Sequence, residues 1–97
     1  MEISSGDDMC YTDERIDEKS WIREFDPSVT ESEEYVWHRD HNDRRVEILE
    51  GDGWQFQFDN ELPIFINKNE ALFIPKMVYH RIIPGKNKLR IKINEEF

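Results

Sequence analysis

Arg45-Val46-Glu47-Ile48-Leu49-Glu50-Gly51-Asp52-Gly53-Trp54-Gln55-Phe56-Gln57-Phe58-Asp59 is the stretch on which the fold turns. Trp54, Phe56 and Phe58 alternate with Gln55 and Gln57, and a period of two is the mark of a strand with one buried face. Gly51-Asp52-Gly53 is turn chemistry, and it separates this strand from the strand-like run at 45–50. Working outward, further short segments of the same kind fall at 35–40, 63–67, 71–75, 79–83 and 89–94, parted by His41-Asn42-Asp43, Asp59-Asn60, Lys68-Asn69 and Pro84-Gly85-Lys86-Asn87. Upstream, Trp21, Arg23 and Phe25 alternate with Ile22, Glu24 and Asp26 until Pro27 ends the run, which suits a first or edge strand. Seven or eight short strands with no helix between them give an all-β, antiparallel sandwich or barrel. Residues 12–19 allow a short helix ahead of it, and no internal repeat stands out.

The chain of 97 residues has room for one domain, and 37% apolar with 12% aromatic residues can furnish one core. No run reaches the ~18 apolar residues of a membrane span, and the first twenty residues lack a signal peptide's basic start and apolar stretch. A soluble, cytoplasmic protein is expected. A single cysteine, Cys10, excludes an internal disulfide and a cysteine zinc cluster.

The formal charge of -9 is uneven: residues 1–34 hold 12 acidic and 3 basic side chains, residues 35–97 hold 10 of each. That balance argues against nucleic acid and against anionic membranes as partners. Residues 1–20 read as an acidic, partly disordered N-terminal leader, with 21–97 as the domain. The leader is either a solvated segment or an arm for a basic protein partner. On this view, deleting residues 1–19 shifts the melting temperature by no more than about 4 °C.

The stretch from His38 to Pro84 resembles the cupin family, whose motifs are written G(x)5HxH(x)3-4E(x)6G and G(x)5PxG(x)2H(x)3N. His38, Asp40, Arg44 and Gly51 stand at the first-motif offsets, with Asp for the second His and Arg for the Glu. Asn69, Pro75, Met77, His80 and Pro84 stand at the second-motif offsets, where Pro75 and His80 match in kind. Small stand-alone cupins, including ones carried by tailed phages, look similar. The resemblance implies a jelly-roll barrel with a site in its mouth.

Side chains at i and i+2 of a strand share a face, so His38 and Asp40 point together. The family arrangement implies that His80 joins them, making a two-His, one-carboxylate triad for Fe, Mn, Ni or Zn, the ligand set of non-haem Fe(II) oxygenases. Without metal, the same residues would hydrogen-bond one another in a polar pocket. Arg44 cannot ligate, because a guanidinium has no lone pair to offer. It either holds an anionic group of a ligand, pairs with Asp40 in place of the metal's charge, or lies in solvent. Gln55 and Gln57 face solvent, or face inward as amide hydrogen-bonders for a polar ligand such as a sugar or nucleobase. Arg90 follows His80 at an offset resembling the cosubstrate arginine of 2-oxoglutarate oxygenases. Leu89, Ile91 and Ile93 set the inward face of that strand, however, so Arg90 faces out. Whether the chain is an enzyme or a non-catalytic module that binds a small polar or anionic ligand, a nucleotide or sugar, stays open at this point. A homodimer paired edge to edge through 21–25 is expected, as in many cupins.

Overall fold

The computed structural model describes residues 11–29 and 35–96. Its regular elements are eight strands: β1 (Tyr11–Arg15), β2 (Ser20–Phe25), β3 (Asp43–Glu50), β4 (Gln55–Phe58), β5 (Ile64–Phe65), β6 (Ala71–Ile74), β7 (His80–Ile83) and β8 (Leu89–Glu96). They form a five-stranded sheet in the order β1-β2-β8-β3-β6 and a three-stranded sheet in the order β5-β4-β7. Every pairing is antiparallel. The architecture is all-β and antiparallel, as the strand count implied, in the jelly-roll form that the family resemblance implied.

The core lies where the two sheets face each other. β8 sends Leu89, Ile91 and Ile93 inward and keeps Arg90, Lys92 and Asn94 on the outer face. Val46 and Ile48 of β3, and Trp54 and Phe56 at β4, meet them. Phe25 and Trp54, with ring centroids 6.0 Å apart, are the largest side chains packed at the centre. The indole Nε1 of Trp54 donates to Asn87 O at 2.7 Å, so the ring is buried without stranding its polar atom. Two loops press together above it. A Cβ at Gly85 would stand 2.3 Å from Asp52 O, so the 84–87 turn can lie on the 51–53 turn only with glycine there.

The structure departs from the sequence expectations at four places. Residues 12–19 form no helix: Tyr11–Arg15 is a strand paired with β2 along its whole length, and 16–19 is the turn between them. Asp17 closes that turn by accepting from Lys19 N and Ser20 Oγ, both at 2.9 Å, and these bonds hold its carboxyl below the ordinary range. Consequently β2 is not an edge strand but lies between β1 and β8, and pairing of two copies through it is blocked. The segment 35–40 makes a single bridge, His38 to His80, in place of a strand. The strand expected at 63–67 shrinks to the two residues of β5. Residues 1–10, the first half of the expected leader, lie outside the described residues.

β1 has work to do in the sheet. Arg23 of β2 is 7% exposed, and its Nε and Nη2 donate to the two oxygens of Asp13 at 2.7 and 2.9 Å. Its guanidinium lies 3.8 Å from the Tyr11 ring, which in turn packs on Phe25. Removing β1 takes the bidentate Asp13 carboxylate and the Tyr11 ring from this cation together with a five-residue ladder, and hydrogen bonds to a charged group are alone worth roughly 1.5–3 kcal/mol. Deleting residues 1–19 should therefore lower the melting temperature by more than about 8 °C, not by the 4 °C or less expected of a leader. Asp13→Ala alone should produce a good part of that loss. Thermal unfolding of the deletion and the point variant checks both.

Candidate metal centre

The site is assembled by main-chain bonds before any side chain is considered. His38 N donates to His80 O at 3.0 Å, and His80 N donates to His38 O at 2.8 Å. Two residues on, Met77 N donates to Asp40 O at 2.7 Å. These bonds bring 38–40 alongside 77–80 and turn His38, Asp40 and His80 to the inside. One nitrogen of each imidazole and one carboxylate oxygen lie within 4.8 Å of one another. The imidazole centroids are 4.5 Å apart, and His80 stacks on Phe56 at 5.4 Å.

Each histidine uses Nδ1 locally, on Val36 O for His38 and on Val78 O for His80, both at 2.9 Å. A carbonyl oxygen only accepts, so both Nδ1 atoms carry hydrogen, and in a neutral ring the lone pair is left on Nε2. This is the way a metal-binding imidazole is usually held from behind. His80 Nε2 stands 3.3 Å from Asp40 Oδ2. That oxygen is buried and makes no aligned hydrogen bond. With a neutral ring, two lone pairs face each other across this gap, an arrangement that calls for a cation between them or a proton on Nε2. The donor set therefore fits a divalent metal. Burial pushes the Asp40 carboxyl up, but His80, the Arg44 charge and His38 outweigh it and hold the group below the ordinary carboxylate range.

Arg44, at the start of β3, is neither in solvent nor turned to an open ligand space. Its Nη1 lies 3.4 Å from Asp40 Oδ1 and its Nε donates to Glu95 Oε2 at 3.1 Å. Of the arrangements weighed from sequence, this is the pairing with Asp40. Arg23, overlooked as a site residue, borders the same cavity from β2. Its signal was available, because it shares strand parity with the buried Trp21 and Phe25. Gln55 and Gln57 lie on the face of β4 opposite Phe56, away from the cluster. Gln57 accepts from Arg81 Nε at 2.9 Å and donates to Glu61 O at 2.8 Å. Arg90 lies on the outer face, 3.4 Å from Glu24 Oε2. The cavity at the cluster measures about 20 Å³, room for one water or one ion.

No protein-family model matches this chain, and no curated protein matches it in sequence. Solved structures do match. A protein of Neisseria meningitidis, 23% identical, superposes with a TM-score of 0.64 over 89% of this chain and 84% of its own. A cupin-2 domain protein of Shewanella frigidimarina, 24% identical, does so with a TM-score of 0.59 over 86% and 76%. The fold is that of the cupins. The Fe(II) form of HppE shares it as well, with a TM-score of 0.61 at 8% identity over 79% of this chain, which spans 41% of that protein.

Two cupin glycine slots carry other residues here, and the backbone shows why glycine suits them. Asn69 and Met77 stand at second-motif glycine offsets and have φ of 72° and 66°, in the left-handed region. Asparagine tolerates this, whereas methionine bears the full clash of its Cβ with the next carbonyl. Met77 is half exposed, so little packing is lost on truncation. Met77→Gly should therefore stabilise the protein by about 0.5–1 kcal/mol, or roughly 2–8 °C in melting temperature. Met77→Val should lower it, and paired thermal melts read the sign.

Proposed function

We infer that this chain is a small cupin that binds one divalent transition metal, Fe, Mn, Ni or Zn, through His38, Asp40 and His80. It presents that metal to a small polar or anionic ligand. The observation that carries the reading is the convergence, within 4.8 Å, of one nitrogen of each imidazole and a carboxylate oxygen of Asp40, whose buried Oδ2 faces His80 Nε2 without an aligned hydrogen bond. A metal of this class supplies Lewis acidity and open coordination positions. The chain's own residues do the rest. Val36 O and Val78 O orient the rings. Arg44, anchored by Glu95, holds Oδ1 of Asp40 and leaves Oδ2 toward the histidines. Val46, Phe56, Ile74, Ile82, Ile91 and Ile93 wall the cavity and keep bulk water out. A non-haem iron oxygenase is the finer form of this reading, supported by the iron named with HppE. The organic substrate would then sit at the mouth, since a cavity of about 20 Å³ cannot take it.

The Asp40–Arg44 ion pair favours a second reading, in which the guanidinium stands in for the metal's charge and the protein is a metal-free binding module. Its ligand, a nucleotide or a sugar, would also have to bind at the mouth, because such pockets run to hundreds of Å³. Under either reading the protein works as a homodimer, joined by an edge other than β2, and its acidic N-terminal segment is the surface for a basic protein partner. No helix among the described residues is long and apolar enough to cross a membrane.

Elemental analysis of untagged, chelator-free protein, together with titration by Fe(II), Mn(II), Ni(II) and Zn(II), separates the two readings. Close to one metal per chain is expected, and His80→Ala should abolish loading. Failure of all four ions to bind would remove the metal reading and leave the Arg44 one.

A further inference from the structure

The two histidines sit in copies of one four-residue word, Val36-Trp37-His38-Arg39 and Val78-Tyr79-His80-Arg81, each reading Val-aromatic-His-Arg. The copies pair antiparallel with the histidines at the centre, joined by the reciprocal main-chain bonds of 3.0 and 2.8 Å. Near-twofold symmetry follows. In each copy the histidine Nδ1 bonds the valine carbonyl two residues back, at 2.9 Å in both. In such a pairing residue 37 lies opposite 81 and residue 39 opposite 79, on the face away from the imidazoles. There each arginine covers the aromatic ring of the other copy: Arg81 is 4.9 Å from the Trp37 centroid and Arg39 is 5.2 Å from that of Tyr79. Both rings are 42% exposed, so they contribute little to the core. Their contacts cross the bridge twice, once on each side of the histidines.

A single bridge is a weak hinge, because two hydrogen bonds do not stop 38–40 from twisting against β7. Two cation–π contacts on the back of the bridge resist that twist. We propose that the two words form one metal-gripping unit, in which Trp37–Arg81 and Tyr79–Arg39 are positioning pairs that keep His38 and His80 turned inward by Nε2. This rests on the metal reading for its purpose but not for its geometry, and the two can fail separately.

The test compares the full-length wild type with Trp37→Ala/Tyr79→Ala and with Trp37→Phe/Tyr79→Phe, which keeps both ring faces. Zn(II) affinity is measured by chelator competition, and the imidazole tautomers of metal-free protein by ¹⁵N correlation spectra. The alanine pair should lose about 10-fold in Zn(II) affinity, the scale of a lost ligand-orienting contact. Its histidines should pass from the Nδ1–H form to a tautomer mixture. The phenylalanine pair should stay within about 2-fold of wild type, since the cation–π face is kept. Unchanged affinity and tautomers in the alanine pair would overturn the proposal, as would equal losses in both pairs. If the alanine pair unfolds, Arg39→Gln/Arg81→Gln removes the cations instead and is judged by the same two readouts. Wild-type protein that takes up none of Zn(II), Fe(II), Mn(II) and Ni(II), with tautomers still disturbed in the alanine pair, would overturn the metal reading and uphold the positioning role.

Discussion

Two hydrogen bonds between His38 and His80 hold this site together. The segment 35–40 belongs to no ladder, and its main-chain ties to 77–80 are that reciprocal pair and the Met77 N to Asp40 O bond beside it. Backbone groups that stay unpaired in a buried place cost more than paired ones return. The segment is therefore pinned where its carbonyls and amides find partners. From that pinning follow the inward direction of His38 and Asp40, the use of both Nδ1 atoms on nearby carbonyls, and the meeting of three donors on one side of a single bridge. The left-handed backbone at Met77 falls at the residue whose amide donates to Asp40 O.

A second network runs behind the first. The Trp21 ring has Arg15, Arg23 and Arg44 within 4.6, 5.8 and 5.4 Å of its centroid, and Asp13, Asp40 and Glu95 supply the carboxylates. Burying guanidinium groups is tolerable only when each is paired, so these acids are part of the interior's charge balance. The N-terminal excess of acid thus has at least one structural member in Asp13. A segment that composition alone assigns to solvent carries the counter-ion of a core arginine.

The strands at 45–50, 54–59 and 89–94 were legible because each has one buried face and turn residues at its ends, and period two survives in their sequences. So were the three candidate ligands, through i, i+2 geometry and the family spacing. β1 was not legible, since only Tyr11 of its five residues is even partly buried and four exposed side chains leave no period to read. Segment 35–40 has the β-branched and aromatic content of a strand, yet it makes one isolated bridge in place of a ladder, something only tertiary packing decides. Arg44 was left among three environments because nothing local tells an arginine which carboxylate across the sheet, here Glu95, will hold it. The Val-aromatic-His-Arg word is too short to stand out as a repeat along the chain. It gains meaning only when antiparallel pairing sets its copies face to face.

The small size of the cavity has a consequence for what the site can select. A chamber of about 20 Å³ admits one particle the size of a water molecule, so its occupant is restricted by diameter as well as by donor chemistry. His38, Asp40, Arg44 and His80 line that chamber, so an occupant meets imidazole, carboxylate and guanidinium at once. A larger occupant fits only if the close-packed walls of Phe56, Ile74, Ile82, Ile91 and Ile93 move apart, so the barrel's packing takes part in selection alongside the donor atoms.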